Sequence, residues 1–184
     1  KVLKFQGHFH GWHDNLISGH KPPYDRPPPA GILPAVADTV HLCAPNDIDA
    51  VEDTLKRDND VACVIIEPTG GAFGMTPTRK GFLAELREVT SRYGVLLIFD
   101  EVVTGFRCAP GGAQAYFGVT PDLTTMAKIL SGGLPGGCLA GREDIMKLLA
   151  FQGEPEWDLF RKMPHQGTFN ANPLSAAAGI AMLS

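Results

Sequence analysis

Five short, mostly apolar runs along the chain have the length and pattern of β-strands. They cover residues 2–5, 39–43, 61–66, 95–99 and 123–127. The fourth run, VLLIF, is apolar throughout, which is typical of a strand buried on both faces of a parallel sheet. A sixth strand is predicted at 138–141, directly after a glycine-rich turn. The pattern therefore predicts a mostly parallel sheet.

Apolar positions spaced three and four residues apart predict helices between these strands. Residues 48–55 follow Asp47, a residue type that caps helix N-termini. Residues 82–89 present one apolar face, and Gly94 lies where such a helix would end. Three further helices are predicted at 113–117, 142–150 and 173–183. We therefore expect one α/β domain, a mostly parallel sheet with helices on both faces and right-handed crossovers.

The segment 19–34 breaks this alternation. It contains six prolines together with the charged residues Lys21, Asp25 and Arg26. Proline fixes φ and removes a backbone donor, so this composition is typical of a stiff surface loop and not of a helix.

Composition excludes some classes of protein. The chain has 184 residues, 44% of them hydrophobic, and a net charge of −4, which suits one soluble globular domain with a sizeable core. The mild acidity argues against nucleic-acid binding, and no apolar run is long enough to span a bilayer. The four cysteines form no CxxC pair, and Cys43 and Cys63 lie in apolar runs, so we expect these two to be small buried hydrophobic residues. A reducing cytoplasm fits the cysteines best.

Two ionisable residues lie at the predicted ends of neighbouring strands. Asp100 follows the run 95–99, and Lys128 follows the run 123–127. Open α/β sheets bind ligands at the carboxyl ends of their strands. A buried acid and a buried lysine at this edge suggest a lysine that forms a Schiff base and an acid that holds a protonated pyridine nitrogen.

Three segments carry a family resemblance: FDEVVTGFR at 99–107, DLTTMAKILSGGLPGG at 122–137 and HQGTFNANPLSAAAGIA at 165–181. They resemble class III pyridoxal-phosphate-dependent aminotransferases, especially glutamate-1-semialdehyde 2,1-aminomutase and its relatives. The resemblance extends over residues 4–184 in the family's order and spacing. It implies a fold-type-I large domain, pyridoxal 5'-phosphate (PLP) as cofactor, an amino-acid or amine substrate with a keto or aldehyde acceptor, and a homodimer.

The resemblance also assigns site residues. It implies that Lys128 forms the Schiff base and moves the proton, and that Asp100 holds the pyridine nitrogen. It places Val102 and Phe9 on opposite faces of the cofactor ring and His10 beside it. Taken without the resemblance, Phe9 is better explained as a core residue, and Val102 cannot be distinguished from an ordinary packed valine.

Two further residues are assigned with alternatives. Glu67 ends the strand 61–66 and belongs either to the hydrogen-bond network around the cofactor or to a structural ion pair. Thr168 matches the threonine that reaches the cofactor phosphate of the neighbouring subunit, so its role depends on dimerisation. Without a dimer it is a turn threonine.

Departures from the family pattern indicate which branch of the family this chain resembles. Ornithine- and 4-aminobutyrate-type members carry a second glutamate where this chain has Ala72, and tend to have Gln where it has Val103. Both differences indicate the aminomutase-like branch. The segment 19–34 argues against a strict aminomutase, whose corresponding lid is rich in Gly and Ser and retains an intermediate.

Two other interpretations were weighed. The spacing of His8, His10 and His13 is compatible with a metal site, but no cysteine or acid cluster completes a zinc pattern, so we expect no metal site. Compared with the family, an N-terminal phosphate-loop portion and a C-terminal small domain are missing. We therefore expect residues 1–184 to be a partial PLP-binding large domain, which alone could be an inert fragment.

Overall fold

A computed structural model describes residues 1–72 and 74–184. A six-stranded sheet forms the scaffold, and its strands follow the apolar runs of the sequence closely. The strands are β1 (Val2–Phe5), β2 (Val40–Cys43), β3 (Cys63–Ile66), β4 (Leu96–Asp100), β5 (Leu123–Ala127) and β6 (Gly137–Gly141). Their order across the sheet is β2-β1-β3-β4-β5-β6. All neighbours are parallel except β6, which runs antiparallel to β5. The predicted mostly parallel α/β fold is confirmed.

The main helices are α1 (Ile48–Arg57), α2 (Phe82–Tyr93), α3 (Gly112–Phe117) and α4 (Pro173–Leu183). Their ends match local signals. Asp47 accepts a hydrogen bond from the N–H of Ala50, and Asn172 caps α4 through the N–H groups of Leu174 and Ser175. Gly94 ends α2 with φ of 67°, a left-handed conformation that costs glycine little.

The short strand Thr76–Pro77 lies outside the main sheet, and the other short segments are helical. They are Pro34–Ala37, Gly71–Gly74, Glu143–Met146, the 3₁₀ turns Lys128–Ser131 and Lys147–Leu149, and the π-helical turn Trp157–Arg161. The helix predicted over 142–150 is therefore wrong in length, because its α-helical part ends at Met146 and a 3₁₀ turn follows. The segment 19–34 contains no helix or strand before Pro34, as its prolines predicted.

The core lies between one face of the sheet and helices α1 and α2. Leu3 and Phe5 of β1 and Leu97 and Phe99 of β4 point to this face and are fully buried. Side chains alternate along a strand, so Lys4, Ile98 and Asp100 belong to the other face. No helix in the part of the chain that the structure describes is long and apolar enough to cross a membrane.

Candidate active site at the carboxyl ends of β4 and β5

The strand pairing brings the two candidate catalytic residues to one edge of the sheet. Asp100 is the last residue of β4, and its Cα partner on β5 is Thr125. Lys128 follows Thr125 by three residues and comes directly after the end of β5. Both residues therefore lie at the carboxyl ends of adjacent parallel strands, where ligands bind in open α/β sheets.

Asp100 is buried, with 9% of its surface exposed, and its carboxylate is held from three sides. Oδ2 lies 2.7 Å from Nδ1 of His10. Oδ1 accepts hydrogen bonds from the N–H of Val102 at 3.1 Å and from Oγ1 of Thr125 at 3.4 Å. A carboxylate offers about four lone-pair positions, so Oδ2 keeps acceptor capacity for one more donor. Such a carboxylate suits a protonated ring nitrogen.

His10 is buried behind this carboxylate, with 1% of its side chain exposed. Burial lowers the pKa of His10, against the opposing effect of Asp100, which favours the charged imidazolium. We therefore treat His10 as neutral, with its proton on Nδ1 and donated to Asp100. Nε2 is then a buried acceptor, and no described residue pairs with it. An orphaned polar atom beside Asp100 is consistent with a ligand site.

Phe9 and Val102 adjoin this cluster: Phe9 precedes His10, and the N–H of Val102 donates to Asp100. The Phe9 ring is half-buried, and its centroid lies 4.7 Å from that of His20 and 5.5 Å from that of Trp12. The N–H of Phe9 donates to Oε1 of Glu67 at 2.7 Å. The structure thus ties the loop that carries Phe9 and His10 to the end of β3, as well as to Asp100 on β4.

Lys128 differs from the prediction in its surroundings. It was expected to be buried, but it is exposed, and no hydrogen bond or ion pair links its side chain to the other described residues. It begins a 3₁₀ turn with φ of 51°, a left-handed conformation that is strained for a lysine and is common at functional sites. That turn leads the chain off the sheet, and burial there requires an element that covers it.

Thr168 is not brought into this cluster. It is exposed in a turn before α4, and within the described residues no hydrogen bond joins it to another predicted site residue. This placement agrees with a role that needs a second subunit, and it equally agrees with a simple turn threonine.

Two buried polar residues next to the site were not predicted. Lys4 is fully buried, and burial lowers its pKa to about 8 although the charge of Glu67 opposes this. His8 is 2% exposed and accepts a hydrogen bond from the N–H of Glu67. Burial, helped by the neighbouring His10 and by the charge of Lys4, lowers the pKa of His8 to about 3. The available signal for Lys4 was a charged residue between Leu3 and Phe5 in an apolar strand.

Glu101 was also missed, although it follows Asp100 directly. It is 1% exposed and accepts hydrogen bonds from the N–H groups of Ala113 and Gln114 and from Oγ1 of Thr104. Its carboxylate therefore satisfies the free donors at the start of α3. A Cβ at Gly112 would clash with this carboxylate, so the glycine keeps space for it.

The metal interpretation finds no geometric support in the part of the chain that the structure describes. No group of three or more His, Cys, Asp or Glu side chains is gathered there in a way that could hold an ion. His8 already accepts from a backbone N–H, and His10 is paired with Asp100.

Comparison with known proteins gives one consistent family. The family model "Aminotransferase class-III" matches residues 1–184. A glutamate-1-semialdehyde 2,1-aminomutase from Methanobrevibacter smithii is 44% identical over 185 residues, which cover 100% of this chain and 42% of that protein. The chain thus spans less than half the length of this curated relative.

Solved structures agree in fold. An omega-transaminase from Sphaerobacter thermophilus superposes with a TM-score of 0.86 at 38% identity, covering 100% of this chain and 43% of its own. A structure described as a transaminase with PLP bound has a TM-score of 0.84 at 32% identity, with 100% and 42% covered.

Proposed function

The chain belongs to the class-III aminotransferase family, and on that premise we propose that the full-length protein transfers amino groups with PLP as its cofactor. The observation that carries the proposal is the buried carboxylate of Asp100, oriented by His10, on the strand next to the one that Lys128 follows. When bound, PLP supplies an aldehyde that condenses with a lysine amine and a ring that accepts electrons from the substrate carbon.

Asp100 and His10 act as a unit in this proposal. Asp100 would hold the protonated ring nitrogen through the free position of Oδ2, and its charge would keep that proton in place. His10 donates to the same carboxylate and fixes its orientation. Because His10 is neutral, it does not cancel the negative charge on which the ring proton depends.

Lys128 is the proposed nucleophile and proton carrier. Its amine has no competing partner among the described residues, so it would be free to act as the nucleophile towards the cofactor aldehyde and as the carrier of a proton at the substrate carbon. We propose that the rest of the large domain or a second subunit covers Lys128 and lowers the hydration of its amine. Phe9 and Val102 would pack on the two faces of the cofactor ring. Glu67 holds the Phe9 backbone.

The remaining parts of the proposal concern the whole protein. Residues 1–184 form part of the large domain, the subunits pair as a homodimer, and Thr168 binds the cofactor phosphate of the partner. The 184-residue chain alone, without the phosphate-binding portion, binds PLP weakly and turns nothing over. All four cysteines are free thiols, which suits the reducing cytoplasm.

Aminomutase activity is the second candidate. The curated relative named above is a glutamate-1-semialdehyde 2,1-aminomutase, whereas the solved structures named above are transaminases. The chemistry differs only in whether the amino group leaves to an acceptor or returns to the neighbouring carbon. Retention of the intermediate decides between them, and the proline-rich segment 19–34 is the part of this chain most suited to influence it.

One experiment distinguishes these functions. The full-length protein, loaded with PLP, is given glutamate-1-semialdehyde alone, and in parallel an amine donor with a keto acid. Formation of 5-aminolevulinate without added acceptor indicates the mutase, and acceptor-dependent amination indicates the transaminase. Failure of both reactions, together with failure to bind PLP, would contradict the proposed function.

The fragment claim has its own test. The 184-residue chain is titrated with PLP in the presence and absence of inorganic phosphate. Weak binding that phosphate does not affect agrees with a missing phosphate site. Tight stoichiometric binding that phosphate weakens would contradict the claim.

A further inference from the structure

Lys4 is a charged residue inside an apolar strand. Its neighbours Leu3 and Phe5 point into the core, and alternation places Lys4 on the opposite face of β1, where it is nonetheless fully buried. A buried ammonium is costly unless all its donors find acceptors. The position therefore requires a specific set of partners.

The partners are three backbone carbonyls of one loop. The ammonium of Lys4 donates to the oxygens of His8 at 3.1 Å, Leu16 at 2.5 Å and Ser18 at 3.0 Å. An ammonium has three donors, and all three are used. His8 lies on the outgoing limb of loop 8–18, whereas Leu16 and Ser18 lie on the returning limb, so one side chain clamps both limbs.

This loop carries the residues that meet the site. Phe9 and His10 follow His8 directly, and they bind Glu67 and Asp100 respectively. A backbone hydrogen bond of 2.8 Å from Gly7 to Gly19 closes the loop at its base. The clamp at Lys4 therefore lies between the closed base and the residues that contact β3 and β4.

We propose that Lys4 is a positioning residue of the candidate site, whose ammonium holds loop 8–18 so that Phe9 and His10 stay against Glu67 and Asp100. Lys4 does not touch the reacting atoms and acts through the loop. The consequence for PLP rests on the proposed function, whereas the ordering of the loop does not.

Hydrogen exchange of the full-length protein, followed by mass spectrometry, tests the ordering. Lys4→Met keeps the length of the side chain and removes its donors, and Lys56→Met, at an exposed lysine of α1, is the matched control. We expect exchange in residues 8–18 to rise about tenfold in Lys4→Met, with α1, α2 and β4 unchanged. Unchanged exchange in 8–18, or a rise spread equally over α1, α2 and β4, overturns the proposal.

Lys4→Arg covers the case in which the methionine variant does not fold. A planar guanidinium keeps the charge but cannot aim three donors as an ammonium does, so we expect a smaller, about threefold rise confined to 8–18. Unchanged exchange in Lys4→Arg also overturns the proposal.

The effect of Lys4 on cofactor binding is measured separately. PLP affinity is measured on the same proteins, and we expect Lys4→Met to bind PLP about tenfold more weakly than wild type or Lys56→Met. Equal affinity in Lys4→Met overturns the positioning role. If wild type itself takes up no PLP, the proposed function fails, and the exchange data still decide whether Lys4 orders the loop.

Discussion

Nδ1 of His10 lies 2.7 Å from Oδ2 of Asp100, although the two residues are 90 positions apart in the chain. The histidine reaches the carboxylate from a loop that follows β1, and the carboxylate ends β4. This contact joins the two halves of the candidate site, and it leaves one carboxylate position free for a ligand donor.

Asp100→Asn is predicted to leave PLP bound but to slow amino transfer severely in the full-length protein. An amide cannot supply the negative charge that keeps the ring nitrogen protonated. Losing ~3 kcal/mol of that stabilisation corresponds to a rate loss of about a hundredfold. Steady-state kinetics measure this, with Asp53→Asn on the exposed face of α1 as control. Unchanged kinetics in Asp100→Asn would show that the residue is structural.

Glu101→Gln is predicted to destabilise the fold. The carboxylate accepts hydrogen bonds from two N–H groups at the start of α3 and from the hydroxyl of Thr104. In glutamine an NH₂ group replaces one of the two carboxylate oxygens, so donors would face donors. We expect a loss of about 3 kcal/mol in the free energy of unfolding, measured by urea denaturation. Glu88→Gln, at a residue with 73% of its side chain exposed, is the control and should change little. Equal stability of the two variants would contradict the role of Glu101.

His8 is predicted to make stability depend on pH. Burial lowers its pKa to about 3 in the folded protein, whereas the ordinary pKa of histidine is 6.5. As the pH falls below 6.5, the unfolded chain gains a proton that the folded protein does not accept, so stability is lost towards pH 3. The slope from this residue is at most about 1.4 kcal/mol per pH unit.

His8→Asn tests this pH dependence. Asparagine keeps an acceptor near Nδ1 for the N–H of Glu67 and cannot titrate. We expect a shallower loss of stability between neutral and acid pH in His8→Asn than in wild type. His13→Asn replaces an exposed histidine of the same loop and should retain the wild-type slope. Identical slopes in all three proteins would refute the assignment.

Much of the fold could be predicted from the sequence because the signals for its strands and helix ends are local. The strands follow contiguous apolar runs, and Asp47, Gly94 and Asn172 mark helix ends through contacts within four residues. Asp100 and Lys128 each follow an apolar run directly, and this was enough to predict that both lie at the carboxyl ends of strands. These features require no knowledge of distant partners.

The burial of individual side chains and their long-range polar contacts could not be predicted from the sequence in the same way. Lys128 was expected to be buried from its apolar flanks, but burial depends on which elements cover a residue. Lys4 finds its acceptors up to 14 positions further along the chain, and Glu101 finds donors 12 and 13 positions away. Such partners depend on how loops close over the sheet, which periodicity does not encode.

The central claim is that Lys128 binds the cofactor covalently, and borohydride reduction tests it most directly. The full-length protein is loaded with PLP, reduced, digested and analysed by mass spectrometry, beside Lys128→Ala and the control Lys147→Ala, which alters an exposed lysine. We predict a pyridoxyl adduct on Lys128 in wild type and in Lys147→Ala, and its loss together with loss of turnover in Lys128→Ala. An adduct retained at the wild-type level in Lys128→Ala, or found on a different lysine in wild type, would contradict the account.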